Sequence, residues 1–217
     1  MKYYILNTDP DRQHMQIAGF VRDGAAVLDV GCGSGTLGYY LKEEKGCFVY
    51  GVDNDYDSVE TAREVHKIKA LCLDLDKYTI YPSLFWKEFD VVILADILEH
   101  LRDPKKVLEA SIGCLRKNGD NMVLVSIPNI LWYKLRFKML FGHFDYEEYG
   151  PLDRTHLKFF THESARDLLK SCGLIIVEEK YSIKPGNILM RTLAKISPGL
   201  FAYQFVFRCK RVVSNEV

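Results

Sequence analysis

Apolar residues fall along this chain in short blocks, separated by stretches of mixed polar and apolar composition. The blocks at 26–30, 47–53, 70–75, 89–94 and 121–127 are nearly continuous in apolar residues and are followed by glycine, an acid or proline. Runs of this kind predict strands buried on both faces of a parallel sheet. The stretches 36–45, 54–67 and 105–115 between them read as helices, with Asp55 and Pro104 as start signals and Asn118-Gly119 as a stop. Strand and helix alternating through short connections is the pattern of an open α/β sheet. A helix over 13–21, ended by Asp23-Gly24, is expected to cover one face of it. The stretch 78–87 is expected to be a loop or short helix interrupted by Pro82. Toward the carboxyl end, 161–172 predicts a helix capped by Thr161 and closed at Gly173. A strand over 174–180, a connecting helix over 185–196 and a last strand over 200–208 complete the expectation.

Residues 128–160 break this rhythm. Nine aromatics fall there, whereas aromatics make up 12% of the whole chain. A long, aromatic-rich stretch after a strand suggests an insertion that covers a site and builds a pocket. Asn129 is placed to cap a helix running to about Leu140. Lys134, Arg136 and Lys138 nevertheless alternate with Leu135, Phe137 and Met139, a period of two that leaves a strand open. The chain is otherwise expected to be one domain over 1–217.

The first apolar block runs into three alternate glycines, Gly31, Gly33 and Gly35, and then directly into a helix. Strand, glycine turn and helix form the first unit of a nucleotide-binding sheet, because glycine lets the backbone turn and approach a ligand closely. Gly33, Gly35 and Gly38 also satisfy the spacing of a dinucleotide site. Asp29 separates the two readings. A carboxylate just before the first glycine repels a pyrophosphate but accepts hydrogen bonds from an ammonium group. Asp53, 18 residues past Gly35, stands where such sheets place the acid that accepts from both ribose hydroxyls.

At these residues the chain resembles the class I S-adenosylmethionine-dependent methyltransferases, and the segment FDVVILADILEHLRDP resembles their fourth-strand motif. The resemblance implies a Rossmann-like, mostly parallel sheet of seven strands in the order 3-2-1-4-5-7-6, the seventh antiparallel. It implies S-adenosylmethionine as cofactor, held by Asp29, Gly31, Gly33, Gly35, Asp53, Asp74, Leu75 and Asp96. Asp74 would face the adenine amino group and a neighbouring backbone amide the ring. Asp76 competes for that place, and side-chain alternation favours Asp74, with Leu71, Leu73 and Leu75 sharing the other face. A nicotinamide-dependent oxidoreductase and a methyltransferase-like domain that binds without turnover stand as rival readings.

Methyl transfer needs a base only when the acceptor keeps its proton until attack, and histidine suits that role near neutral pH. His100 follows the fourth strand, His143 and His156 lie in the aromatic stretch, and His162 opens a helix; His14 and His66 read as polar helix residues. The segment GPLDRTHLKFFT resembles a passage in bacterial methyltransferases associated with cell-surface glycans, which favours His156, with His100, as catalytic. The resemblance thus implies a small-molecule or saccharide acceptor methylated on oxygen. No metal ligand is assigned. A metal-assisted alternative stays open, since Asp96-x-x-Glu99-His100 with a distant His156 is similar to the Glu-x-x-Glu-His set of ubiquinone-pathway and small-RNA O-methyltransferases, with Asp in place of the first Glu.

Charge adds an exclusion. Lys and Arg number 29, as do Asp and Glu, so no global field favours nucleic acid or acidic membranes. No nucleic-acid partner is expected, although residues 130–140 are basic and aromatic and keep peripheral membrane contact open. Six cysteines without C-x-x-C spacing predict reduced, mainly buried thiols and a cytoplasmic setting. The stretch MKYYILNTDP lacks the apolar core of a secretory signal, and no run is long enough to span a bilayer.

Overall fold

In the computed structural model the chain is described over residues 9–78, 88–117, 119–184 and 188–212. The elements in order are α1 (Gln13–Ala18), β1 (Ala26–Val30), α2 (Thr36–Lys45), β2 (Phe48–Asp53), α3 (Tyr56–Glu64), β3 (Lys69–Cys72), β4 (Val91–Ala95), α4 (Pro104–Ile112), β5 (Met122–Pro128), α5 (Tyr133–Leu140), α6 (His162–Ser171), β6 (Leu174–Ser182), α7 (Ile188–Ile196), α8 (Pro198–Phe201) and β7 (Gln204–Arg211). A 3-10 turn, Leu98–His100, follows β4. The strands form one seven-stranded sheet in the order β3-β2-β1-β4-β5-β7-β6, as expected. The first five pair in parallel, and β7 runs antiparallel to β5 and β6.

Alternation along the strands divides the core into two layers. Leu28, Val30, Val92, Leu94, Val123 and Val125 point to the face covered by α4 and α6. Val27, Val91, Ile93 and Leu124 point to the face covered by α1, α2 and α3. Because β1, β4 and β5 are buried on both sides, their sequences are apolar apart from Asp29 in β1 and Ser126 in β5. The ligand-binding edge therefore lies where these strands end and the loops begin.

Several boundaries differ from expectation. The first helix stops at Ala18, short of 21, and tightens into turns in which the Phe20 amide donates to Ile17 O and the Val21 amide to Ala18 O. The third strand covers Lys69–Cys72, so Asp74 and Leu75 lie past its end and the proposed alternation through Leu75 does not apply. Asp55 caps α3, accepting from the Ser58 amide at 2.7 Å. The fourth helix ends at Ile112, before Asn118-Gly119, and Asn118 lies outside the described residues. So does most of the stretch 78–87, of which only Tyr78 is described before residue 88. The final strand begins at Gln204 because Pro198 opens α8 over residues expected to lie in the strand. Thr161 caps α6 in a reciprocal capping box with Ser164.

The stretch 128–160 leaves and returns to the sheet at one place, where the Ile130 amide donates to Phe160 O at 3.0 Å. Its helix is α5, which settles the helix-or-strand question in favour of helix. Asn129 does not cap it. That buried side chain instead donates to Gly199 O and Ala202 O and accepts from the Leu131 amide, joining β5 to α8. Trp132, Leu135 and Leu152 form a small core of their own beneath the stretch.

Candidate functional site

The glycine loop is built by backbone. β1 ends at Val30, and Gly31 and Cys32 donate their amides to Val52 O, which fixes the loop against β2. Gly35 has φ 81°, and a Cβ there would lie 2.7 Å from Ile68 and 2.9 Å from Ala62. Both strain and space therefore require glycine at the head of α2. Gly33 has φ 50° and nothing within 4 Å of its Cβ position, so its outer side is free for a ligand to approach. His66, read from sequence as a polar helix residue, is buried just past α3. Its Nδ1 lies 2.6 Å from Ser34 O, and its ring packs on Tyr39, so it props the glycine loop from beneath.

Two acids flank this loop. Asp53, at the end of β2, accepts from the Gly33 amide at 2.7 Å and the Asp55 amide at 3.0 Å. Each carboxylate oxygen keeps a second lone pair for a hydroxyl group. Asp29 is 2% exposed and makes no ion pair among the described residues. Burial, and then the charge of Asp53, raise its pKa to about 7. A buried carboxylate in this condition accepts a cation readily, since the added positive charge restores its ionised form. Asp74 accepts from the Asp76 and Lys77 amides and pairs with Lys77 at 3.2 Å. Its pKa is lowered by these bonds and by Lys77, burial opposing them. The Leu75 side chain is buried in the core. Asp76 is turned away, accepting from the Arg102 amide at 2.9 Å.

Asp96 stands at the end of β4 in a left-handed conformation, φ 54°. Its carboxylate accepts from Gln13 at 2.9 Å, Ser126 at 2.6 Å and Gln204 at 3.0 Å, tying α1, β5 and β7 together. The residue thus anchors the floor of a cavity of about 350 Å³ lined by Arg12, Glu99, His156, Tyr149, Lys184 and Tyr203 among others.

Behind Asp96 the 3-10 turn carries Glu99 and His100 inward. The Leu157 and Lys158 amides donate to Glu99 O at 2.8 and 3.0 Å, which brings His156 alongside. Donor atoms of Glu99, His100 and His156 lie within 4.8 Å of one another, and the two imidazoles meet edge to face at 4.7 Å. Glu99 is 1% exposed, and its Oε2 has no hydrogen-bond partner. Burial, and then the charge of Asp96, hold its pKa well above the usual carboxylate range. His156 is pushed down by burial and then by His100, so its ring is neutral at pH 7.

Three residues that sequence reasoning missed, Pro151, Asp153 and Thr155, orient the imidazoles. Thr155 Oγ1 donates to Asp153 at 2.6 Å and lies 3.1 Å from His100 Nδ1, which therefore donates to it. His156 Nδ1 lies 3.2 Å from the Pro151 carbonyl and donates there. With Nδ1 engaged in both rings, Nε2 is the nitrogen of each that is left free of these contacts. The Asp-x-Thr turn, closed by the Thr155 amide on Asp153 at 2.8 Å, is the local signal that could have revealed Asp153 and Thr155.

The other histidines lie apart from this cluster. His143 is exposed beside Asp145, and His162 pairs with Glu179 at 2.7 Å between α6 and β6. His14 reaches within 4.0 Å of Asp96 from α1.

Comparison with known proteins bears on the fold and the family. The ubiquinone biosynthesis O-methyltransferase of Histophilus somni (strain 2336) is 32% identical over 99 residues, which are 43% of this chain and 41% of that protein. The match thus spans less than half the length of that relative. Among solved structures, an S-adenosylmethionine-dependent methyltransferase from Methanosarcina mazei has a TM-score of 0.66 at 16% identity, covering 92% of this chain and 98% of that one. Magnesium protoporphyrin IX methyltransferase from Synechocystis PCC 6803 with bound SAH has a TM-score of 0.60 at 18% identity, covering 87% and 75%. These likenesses identify the class I methyltransferase fold. The model of the family described as methionine biosynthesis protein MetW matches residues 11–180, from α1 through the glycine loop and histidine cluster into β6, and this chain belongs to that family.

Proposed function

We propose that this protein is an S-adenosylmethionine-dependent methyltransferase acting on an oxygen of a small molecule or saccharide. The observation that carries the reading is Asp29, a buried carboxylate under an open glycine turn and without an ion pair among the described residues. It suits the ammonium of S-adenosylmethionine and opposes the pyrophosphate of a nicotinamide dinucleotide. Asp53 is placed to accept from ribose hydroxyls, and Asp74 with the Leu75 backbone to meet adenine. When bound, S-adenosylmethionine supplies a methyl group already activated on sulfonium. The chain's own part is orientation and proton removal. His156, its pKa held down by burial and with a free Nε2, takes the acceptor proton; Asp153 orients His100 through Thr155. The stretch 128–160 covers the acceptor, with Tyr149 and Gly150 lining the cavity. Six free cysteines support a cytoplasmic setting.

The Glu99, His100 and His156 cluster favours a second reading, in which a divalent ion such as magnesium or manganese assists the transfer. Two imidazoles and one carboxylate form a mixed donor set that fits such an ion. The unpartnered Glu99 Oε2 and the fixed tautomers have the form of ligands oriented by outer hydrogen bonds. Asp96, where the similar set has Glu, is engaged by Gln13, Ser126 and Gln204, leaving three donors.

The test is release of S-adenosylhomocysteine from S-adenosylmethionine across a panel of phenols and hydroxylated saccharides, with wild type and His156→Gln. Turnover by wild type alone supports methyl transfer. Cofactor binding without turnover on any acceptor would favour a binding protein. Thermal stabilisation by manganese that His100→Ala abolishes, together with chelator inhibition, would select the metal-assisted route.

A further inference from the structure

We propose that the face formed by α5, α8 and α7 docks on an anionic lipid bilayer. This inference does not depend on the methyl-transfer reading. Six large apolar side chains on this face, Phe137, Leu140, Phe141, Ile188, Leu189 and Ile196, are between 62% and 82% exposed. The helices that carry them adjoin through α8: the Tyr133 and Phe201 rings lie 5.8 Å apart, and Arg136 reaches Gly199 O at 3.5 Å. An apolar surface of this extent marks an interaction site.

Charge selects the partner. Neither α5 nor α7 contains an acidic residue, while Lys134, Arg136, Lys138, Arg191 and Lys195 project from them. Lys138 is paired with Glu147 and Arg191 with Asp11. Lys134 lies over the Trp132 ring, and neither it nor Lys195 makes an ion pair among the described residues. Arg136 donates to the Leu131 and Gly199 carbonyls and makes no ion pair among the described residues. Apolar side chains flanked by lysine and arginine are the composition of a surface that inserts shallowly into an anionic interface. A second copy of the chain is disfavoured as occupant, because two such faces would oppose like charges.

The cavity lies close to the start of α5. Lys184 and Tyr149 line it, and Tyr203, which also lines it, packs on Trp132 at the start of α5 at 5.1 Å. Docking would thus set the cavity mouth at the bilayer surface, within reach of an acceptor that resides there.

Flotation of the purified full chain with vesicles tests the proposal, using phosphatidylcholine alone and an equimolar mixture with phosphatidylglycerol. Binding is expected on the mixture, at least about tenfold above phosphatidylcholine, and should weaken with added salt. Lys134→Gln with Lys195→Gln should lower partitioning roughly 25-fold, about fivefold for each lysine. Leu140→Gln with Ile188→Gln should lower it by about tenfold or more. All four substitutions are at the surface, and circular dichroism would verify an unchanged fold. Absent or charge-independent vesicle binding, or variants that bind like wild type, would overturn the proposal. So would a dimer in lipid-free solution that Leu140→Gln with Ile188→Gln dissociates.

Discussion

The glycine loop after β1 and the histidine cluster behind the 3-10 turn lie on one edge of the sheet, yet they are held in different ways. The loop is fixed by backbone: the Gly31 and Cys32 amides on Val52 O, the Gly33 amide on Asp53, and the close approach of Gly35 to α3 and Ile68. The cluster is fixed by side chains and by a returning segment, through Glu99 O to residues 157 and 158 and through Thr155 to His100. A site made of backbone carries over between members of a fold. One made of side chains on a loop is free to change its acceptor. The first should therefore govern cofactor affinity and the second turnover, and each prediction below probes that division.

The largest effect is expected at the side-chain site. His156→Ala should lower turnover by roughly 10²–10⁴-fold while S-adenosylhomocysteine affinity stays within about twofold, as read by initial rates and calorimetry. A parallel loss of affinity would dissolve the distinction. On the backbone side, Asp53→Ala should weaken S-adenosylhomocysteine binding by about a hundredfold or more, since two charge-assisted bonds of about 1.5–3 kcal/mol each are lost. Asn129→Ala separates stability from both. It leaves Gly199 O and Ala202 O without their amide donor, and urea unfolding should register a loss of about 2–3 kcal/mol without a matching loss of cofactor affinity.

A smaller effect follows from pH. The pKa of Asp29 is about 7 in the folded chain against an ordinary 3.8, so between those values the folded state holds a proton that the unfolded state lacks. The unliganded protein should therefore gain stability as pH falls from about 7 toward 4, with no further gain from Asp29 below that. Asp29→Asn should flatten this part of the profile in thermal melts, and an unchanged slope would place its origin elsewhere.

The same division explains what the sequence could reveal. β1, the glycine turn and α2 were legible because local rules act together there: a continuous apolar run, residues needing positive φ, and a helix at once. Sheet order followed from family resemblance, and the observed order β3-β2-β1-β4-β5-β7-β6 matches it. The cluster was legible only as separate histidines, because Glu99 and His156 meet through a long return of the chain. The Asp-x-Thr turn marks Thr155 locally, but its contact with His100, 55 residues away in the chain, is set by tertiary placement. α5 was ambiguous for a physical reason. Of its eight residues only Leu135 is buried, so no helical apolar stripe was required of the sequence. Asn129 was misjudged because a cap and a tertiary amide bridge look alike before the partner strand is placed.

The central claim is that a cationic amino-acid group settles on Asp29 while its nucleoside lies on Asp53. Calorimetric titration with S-adenosylmethionine near pH 6.5, in two buffers of different ionisation enthalpy, tests it most directly. The account predicts one-to-one binding that releases a proton, a release that Asp29→Asn abolishes. Binding of NADH in preference to S-adenosylmethionine, or binding of S-adenosylmethionine whose proton release is unchanged by that substitution, would contradict it.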